Sequence, residues 1–419
     1  MPNLAALSDL LKVTQVRLQD NIRKRTKLYD MLRRSSRAMS PNGKYWTWPV
    51  YLDRDYAGVG ARALSGNVAL PEGTDENPPM AQLESKAAYG SITIPGAALR
   101  NIQKNRDAFV DILQDKKARM TVALSQYLNL IFYGTGNGVL GQVNKSGGYT
   151  AATSIILDSN RNMRVGMKLD FYDSASFGTR QASGIKVTAV SSNGTTITVD
   201  TPITVGDNAV LVFYDTVSSG SFTGPMGISG IVDDGTNLVT LQNISSSTYP
   251  EWKSYVFFID SAGDGTGTAA QLTDLYLDRG RDWLADHTGD DEQDTGALKT
   301  ILTTPDVWRD YTQTLTTDRQ VRPADYKGGG VATYAGQSPV LDKTAPANTV
   351  FLLSESSVEF FSEVEGQWIE DDKGAAMIRS GHNDRFLADW VMQFNLGTMS
   401  RYGVRIGGVR EDTGYVISN

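Results

Sequence analysis

The stretch YWTWPVYLDRDYAGVGARALSGNVALPEG, residues 45–73, decides how this chain is read. It opens as a strand (Tyr45, Trp46, Thr47, Trp48, Pro49, Val50, Tyr51). It then runs through Gly58, Gly60, Gly66, Pro71, Gly73, Pro78 and Pro79, and returns as a polar strand toward Ile92 and Ile94. Between about Asp53 and Gln82 there is no sustained apolar period. A stretch that long without its own periodicity is uncommon inside a compact domain and marks a functional arm or a linker. One subunit offers it little to lie on, whereas neighbouring copies supply a surface.

Outward from this arm, the composition narrows the choices. At 419 residues the chain exceeds the usual limit of one hydrophobic core, so two or three structural units are expected. No run approaches eighteen apolar residues, so no helical membrane span is expected. Charges scattered through residues 9–37 break the basic-then-apolar layout of a secretory signal. The absence of cysteine excludes disulfides, thiolate metal sites and cysteine nucleophiles. The two histidines, His287 and His382, read as surface residues, with His287 closing a predicted helix where positive charge suits the macrodipole. Two histidines in so long a chain argue against histidine-based catalysis.

The net charge of −7 is unevenly spread. Residues 1–40 hold nine Lys and Arg against three Asp, a net +6, which leaves −13 for the remainder. A basic arm on an acidic body suits an acidic partner or neighbour. The acidic body lacks the broad basic footprint of a tight nucleic-acid binder.

Helical spacing of Leu4, Leu7, Leu11, Leu18, Ile22, Tyr29 and Leu32 predicts an amphipathic helix over 3–34, interrupted by Arg23–Arg25. Its thin apolar face fits either its own body or a partner. A second helix is expected from Asn105, a good N-cap, to Tyr133, about 44 Å at 1.5 Å per residue. Gly134, Gly136 and Gly138 stop it. Residues 148–222, rich in Ser, Thr, Gly and Val, predict strands at 165–172, 184–190, 195–201 and 209–214, with Asn193-Gly194 as a hairpin turn. Beyond them come a helix over 269–286 with a capping box at Thr268–Gln271, a strand over 299–303, and a helix from Thr304-Pro305 to about Leu315. A strand over 349–353, a short helix over 356–361, and strands over 388–395 and 404–409 close the chain.

No motif carries a chemistry. Gly134-Thr-Gly-Asn-Gly138 follows a helix, the wrong context for a dinucleotide fingerprint. Gly263-Asp-Gly-Thr-Gly267 follows a strand but lacks both the fingerprint spacing and a phosphate-loop Lys. The acids Asp290, Asp291, Glu292 and Asp294 miss a calcium loop, because Gly296 falls one place late and Ile301 stands where a bidentate Glu is needed. There is no Gly-x-Ser-x-Gly elbow. The expectation is a chain that is no enzyme, with no catalytic residue, no cofactor and no metal.

Several stretches carry a resemblance. Residues 45–73 resemble an extended loop with an aromatic approach and a glycine-rich tip. SQYLNLIFYGTGNGVLGQV (125–143) is similar to the end of a spine helix. GISGIVDDGTNLVTLQNISSSTYPEWKS (227–254) is similar to the approach to an axial domain, with Tyr249, Pro250 and Trp252 as its distinctive part. LKTILTTPDVWRDY (298–311) is similar to a strand-to-helix step inside that domain. Together they resemble the major capsid proteins of tailed double-stranded-DNA bacteriophages, over nearly the whole chain. The resemblance implies an α+β fold of the HK-ninety-seven type. Its parts are an N-terminal helical arm (1–40), an extended loop (41–90), a peripheral domain with the spine helix (91–147), an inserted small β-barrel or sandwich (148–222), an axial domain (223–355) and a return to the peripheral domain (356–419).

The implied function is a structural head protein that assembles into pentamers and hexamers of an icosahedral shell. It would stand in the virion, be assembled in the host bacterial cytoplasm, and contact no membrane. The implied partners are other copies of itself, portal, scaffolding and decoration proteins, and packaged double-stranded DNA through weak non-specific proximity. The spine helix starts too early for a fused scaffolding segment, which favours a separate scaffolding protein. Inter-subunit contacts are expected at Gly58, Gly60, Arg62, Gly66, Pro71, Glu72 and Pro78 of the loop and at Arg17, Arg23 and Arg25 of the arm. The Trp46/Trp48 end anchors to its own body and the tip lies across a neighbour. The alternative is another virion protein, a tail tube, baseplate or adhesin component, with a carbohydrate-binding β domain in 148–222.

Overall fold

The computed structural model describes residues 11–35, 43–52, 78–96, 106–288, 298–318, 333–372, 374–379, 381 and 383–412. The loop-tip residues Gly58, Gly60, Arg62, Gly66, Pro71 and Glu72, the acidic run 290–296 and His382 lie outside the described residues.

The first of the main sheets is organised around the long strand Arg385–Gly397. One side of it carries Lys86–Pro95, and the other carries Glu359–Trp368 and Ile378–Arg379, with Arg33–Arg34 added to Glu359–Trp368. Period-two burial of Ala388, Trp390, Met392, Phe394 and Leu396 gives this strand one fully apolar face. The helix Arg106–Tyr133 covers that face with Leu113, Met120, Leu124, Leu128 and Phe132. Phe132 meets Phe394 edge-on at 5.5 Å, and Phe394 stacks on Phe360 at 5.3 Å. Each such buried ring contributes about 1.5–3 kcal/mol. Gly90 permits the close approach, since a Cβ there would sit 3.1 Å from the Met120 sulfur.

The expected continuous helix over 3–34 is corrected. The described part is helix Gln15–Arg25, an extended Thr26 (φ −105°), helix Lys27–Met31, and then the strand Arg33–Arg34. The reason is angular. Six residues separate buried Ile22 from buried Leu28, which places them about 240° apart on an unbroken helix. The break at Thr26 re-aims Leu28 and Tyr29 into the same core. This segment lies on its own body: Gln15 and Gln19 donate to the Gly366 carbonyl at 3.2 and 2.5 Å, and Lys12 pairs with Glu370 at 2.8 Å.

The short helix expected over 356–361 is also corrected, because Glu359–Trp368 is a strand. Phe360 and Phe361 are both fully buried, Phe360 against Phe394 and Phe361 against Trp46 and Trp48. Only strand geometry sends adjacent side chains to opposite faces.

A second sheet runs in the order Tyr255–Phe258, Gly403–Gly407, Val350–Leu353, Thr300–Thr303, Val340–Leu341. Its outer pairs are parallel and its inner pairs antiparallel. Helices Asp274–Thr288 and Pro305–Asp318 supply Leu277, Leu284, Val307, Trp308 and Tyr311 to one core with Val350, Leu352, Val404 and Ile406. Thr304 caps the second helix as expected, accepting from Val307 N–H at 3.3 Å. The first helix starts at Asp274, later than expected. The backbone of Ala270 is held between Gly408 and Arg410 at 2.9 and 2.7 Å, so pairing in the sheet overrides the local capping pattern of 268–271.

The third sheet lies within residues 141–213. Its order is Gly141–Gln142, Val210–Phe213, Lys168–Tyr172, Arg180–Val190, Thr196–Val205, Tyr149–Ile156, and a Val143–Leu157 bridge joins the last strand back to the first. The closed sheet surrounds Val143, Ile155, Leu157, Leu169, Phe171, Val187, Ile197 and Leu211. At the expected Asn193-Gly194 turn, Gly194 takes φ +82°, and the Asn193 side-chain Oδ1 accepts from the Thr195 and Thr196 amides at 3.0 and 2.9 Å. Tyr127 of the long helix packs on Phe213 at 4.7 Å, and Arg161 reaches the Lys343 carbonyl at 2.9 Å and Glu411 at 3.3 Å.

Candidate functional site

The arm leaves the body as a two-stranded antiparallel ribbon, Tyr45–Pro49 against Met80–Glu84, paired from Tyr45/Glu84 to Pro49/Met80. The Val50 amide donates to the Pro79 carbonyl at 3.0 Å and extends it by one step. One ribbon face is buried through Trp46, Trp48, Ala81 and Leu83. Trp48 stacks on Phe361 at 5.0 Å with rings 10° apart, and Trp46 lies 5.7 Å from the same ring. The Trp46/Trp48 end is therefore anchored to its own body, as the sequence led us to expect. At the far end Tyr51 and Met80 are exposed, by 67% and 54%. The half-buried Pro78 stands beside them at the mouth of the arm. Trp48→Ala is expected to cost about 3–5 kcal/mol, read as a lower urea midpoint. A loss below about 1 kcal/mol would show that the ribbon is not held by this ring.

The three arm arginines have different surroundings. Arg23 pairs with Asp30 at 3.0 Å. Arg17 and Arg25 are exposed and make no ion pair among the described residues. Beside them Val13 and Val16 are 79% and 65% exposed. Arg33 and Arg34 are neutralised within the chain, by Glu355 at 2.9 Å and by Glu365. The exposed part of the basic arm thus bears Val13, Val16, Arg17, Lys24 and Arg25.

Tyr249, Pro250 and Trp252 lie in one turn. Trp252 is fully buried and its indole donates to the Leu241 carbonyl at 3.3 Å, Tyr249 packs partly buried against the main core, and Pro250 is exposed. The feature that sequence reasoning missed stands directly behind them. Arg401 is buried, and its guanidinium donates to the carbonyls of Ile231 (3.1 Å), Trp252 (3.2 Å), Leu238 (3.2 Å) and Gly230 (3.4 Å). It lies 3.7 Å from Asp233, equally buried. Asp233 in turn accepts from the amides of Gly235, Asn237 and Leu238. Burial pulls the Arg401 guanidinium down to about 10, against the opposing pull of Asp233 and Asp234, so it stays charged at neutral pH. No spacing rule marks this residue, because its ligands are backbone carbonyls scattered over 230–252.

The glycine clusters are occupied internally. The amides of Gly265 and Gly267 donate to the Asp260 carboxylate at 2.9 and 2.6 Å, the positions a phosphate would need. Burial acts to raise that carboxyl, and the donors from Gly265, Gly267 and Ala262 outweigh it, holding it below the usual range. At Gly136 and Gly138 a Cβ would collide with Met226 and Phe222 at 2.3 Å, so both glycines serve packing. Among the described residues no group of three or more His, Asp and Glu is placed to hold a metal ion. His287 ends its helix, half-buried, stacked on Trp283 at 4.0 Å. In the closed sheet, Phe171, Tyr172 and Phe177 are buried in its cores and Phe213 packs under Tyr127, which leaves Tyr214 as the exposed ring.

The chain, with its ribbon, strand-backed helix, closed sheet and mixed sheet with two helices, matches solved structures. The cyanophage A-1(L) capsid asymmetric unit aligns over 92% of this chain and 93% of its own, with a TM-score of 0.55 at 15% identity. The chain has a phage capsid fold. The satellite phage P4 procapsid with its size-determination protein aligns over 94% and 90%, with a TM-score of 0.44 at 8% identity. An empty GTA particle capsid aligns over 92% and 90%, with a TM-score of 0.41 at 8% identity. No family model matches the sequence, and no curated protein matches it. The capsid fold accounts for the α+β mixture and for near-complete coverage of both chains.

Proposed function

We propose that this chain is the major capsid protein of a tailed double-stranded-DNA bacteriophage, assembling into the capsomers of an icosahedral head. The observation that carries this reading is the alignment with the cyanophage capsid over 92% of the chain. In this reading the second sheet with its two helices is the axial domain, gathered at the capsomer centre. The first sheet with the helix Arg106–Tyr133 is the peripheral domain. The closed sheet is the inserted β domain, and the ribbon carries the extended loop across a neighbouring copy. The Arg17–Arg25 helix face meets an acidic scaffold or neighbour. The acidic body leaves packaged DNA free to move, since each basic phosphate contact would add salt-dependent adhesion. Portal and decoration proteins complete the partner set, and the site of action is the virion.

Negative-stain electron microscopy of the purified protein, alone and with its scaffolding partner, tests this. Rings, shells or tubes are expected. A stable monomer under all conditions overturns the reading.

A further inference from the structure

Among the described residues, the strand Lys86–Pro95 is an open sheet edge. It pairs with Arg385–Gly397 in unbroken register from Pro95/Arg385 to Lys86/Phe394, and no strand lies on its other side among the described residues. The parity of the ladder is fixed at its end, where the Gly96 amide donates to the Asp384 carbonyl at 2.8 Å. Antiparallel ladders alternate between bonded and outward-facing residues. Ala88, Gly90, Ile92 and Ile94 therefore bond inward. Ala87, Tyr89, Ser91 and Thr93 point their N–H and C=O groups away from the sheet, and these groups have no partner among the described residues. Pro95 falls in the outward set, the place where a missing N–H breaks no ladder bond.

Soluble proteins guard such edges with charges, bulges or central prolines. Between Lys86 and Pro95 at its two ends, this edge has none of them. Residues 87–94, AAYGSITI, carry no charge, and the register shows no bulge. Tyr89 stands 65% exposed beside the free amides. An eight-residue, uncharged, β-prone edge is an aggregation hazard unless something covers it.

We propose that the outward edge of Lys86–Pro95 takes up an extended strand from a second copy of this chain, which joins the sheet by main-chain hydrogen bonds. This rests on the capsid reading, in which copies are the neighbours. Charge selects the place. Residues 87–94 carry no charge, so a second copy of this net −7 chain meets no like charge along that edge. The outward amides supply the binding, and Tyr89 supplies an aromatic anchor beside them.

Residue-resolved hydrogen exchange on the free subunit and on assembled particles tests the proposal. The amides of Ala87, Tyr89, Ser91 and Thr93 are expected to slow by about 100-fold or more on assembly, while those of Ala88, Gly90, Ile92 and Ile94 are protected in both states. Ser91→Pro removes one outward donor. The double variant Tyr89→Lys, Thr93→Lys keeps every ladder bond and adds charge to the edge. Both should melt like the parent and assemble at least about tenfold less, the loss of roughly one contact's worth of association. Outward amides that exchange equally fast in particles, or normal assembly of both variants, overturn the proposal. Protection that arises only on adding a scaffolding protein overturns it too, since the occupant is then that protein. If no particle ever forms, the capsid reading fails separately. The edge is then read by sedimentation at high concentration, where the parent should dimerise and the lysine variant should not, and a parent that stays monomeric overturns the proposal.

Discussion

Replacing residues 54–75 by a two-residue Asn-Gly turn is expected to leave a folded subunit that no longer closes shells. The ribbon survives the cut, because its pairing starts at Tyr45/Glu84 and runs to Pro49/Met80. Its anchor also survives, since Trp46 and Trp48 pack on Phe361 of the body. Asn-Gly is the turn that two-residue hairpins favour. The subunit should therefore melt within a few degrees of the parent. Assembly should suffer far more, because in the proposed capsid reading a tip contact would repeat in every copy and multiply through closed symmetry. Each 1.4 kcal/mol lost per contact costs about tenfold in association. Melting temperature and particle yield by electron microscopy are the two readouts. Normal shells from the shortened chain would show that the arm is not an assembly device, and an unfolded subunit would show that the tip serves its own body.

Arg401→Met is expected to destabilise the subunit by about 3–5 kcal/mol, because it leaves the buried Asp233 carboxylate without its cation. The carbonyls of Gly230, Ile231, Leu238 and Trp252 lose their donor in the same step. Urea denaturation should show a lower midpoint with an unchanged slope. Adding Asp233→Asn to Arg401→Met should recover part of the loss, since the charge left behind is the larger cost. Arg401→Lys should fall between, because an ammonium carries the charge but cannot span a fork of carbonyls. A single-variant loss below about 1 kcal/mol, or a double variant worse than the single, would mean that the pair does not hold this turn.

The strands of the closed sheet, the long helix and the aromatic start of the ribbon were legible in the sequence because their periodicity and turn residues are local, although the ribbon's partner Phe361 was not. Asn193-Gly194 fixes its hairpin by its own backbone and side chain. The helix Arg106–Tyr133 follows from its spacing and is stopped by the glycines after it. The misread elements share the opposite cause. Thr26 breaks a helix because Leu28 and Tyr29 must reach the same core as Ile22. Ala270 is withdrawn from a helix by Gly408 and Arg410, 138 and more residues away in sequence. Phe360-Phe361 becomes strand because two separate packing partners, Phe394 and Trp48, claim its two faces.

By itself the sequence determined the class of this protein: no cysteine, two histidines, no membrane-length helix, a basic start on an acidic body, and an arm with no period between two ordered strands. Those properties follow from composition and local spacing, which need no knowledge of distant contacts. Only the tertiary structure decided that Arg401 is a buried hub, that Gly263–Gly267 is already filled by Asp260, and that Lys86–Pro95 has no strand on its outer side among the described residues. The physical reason is the same in each case. Whether a polar group is satisfied depends on which residues from elsewhere in the chain arrive beside it, and that is set by packing.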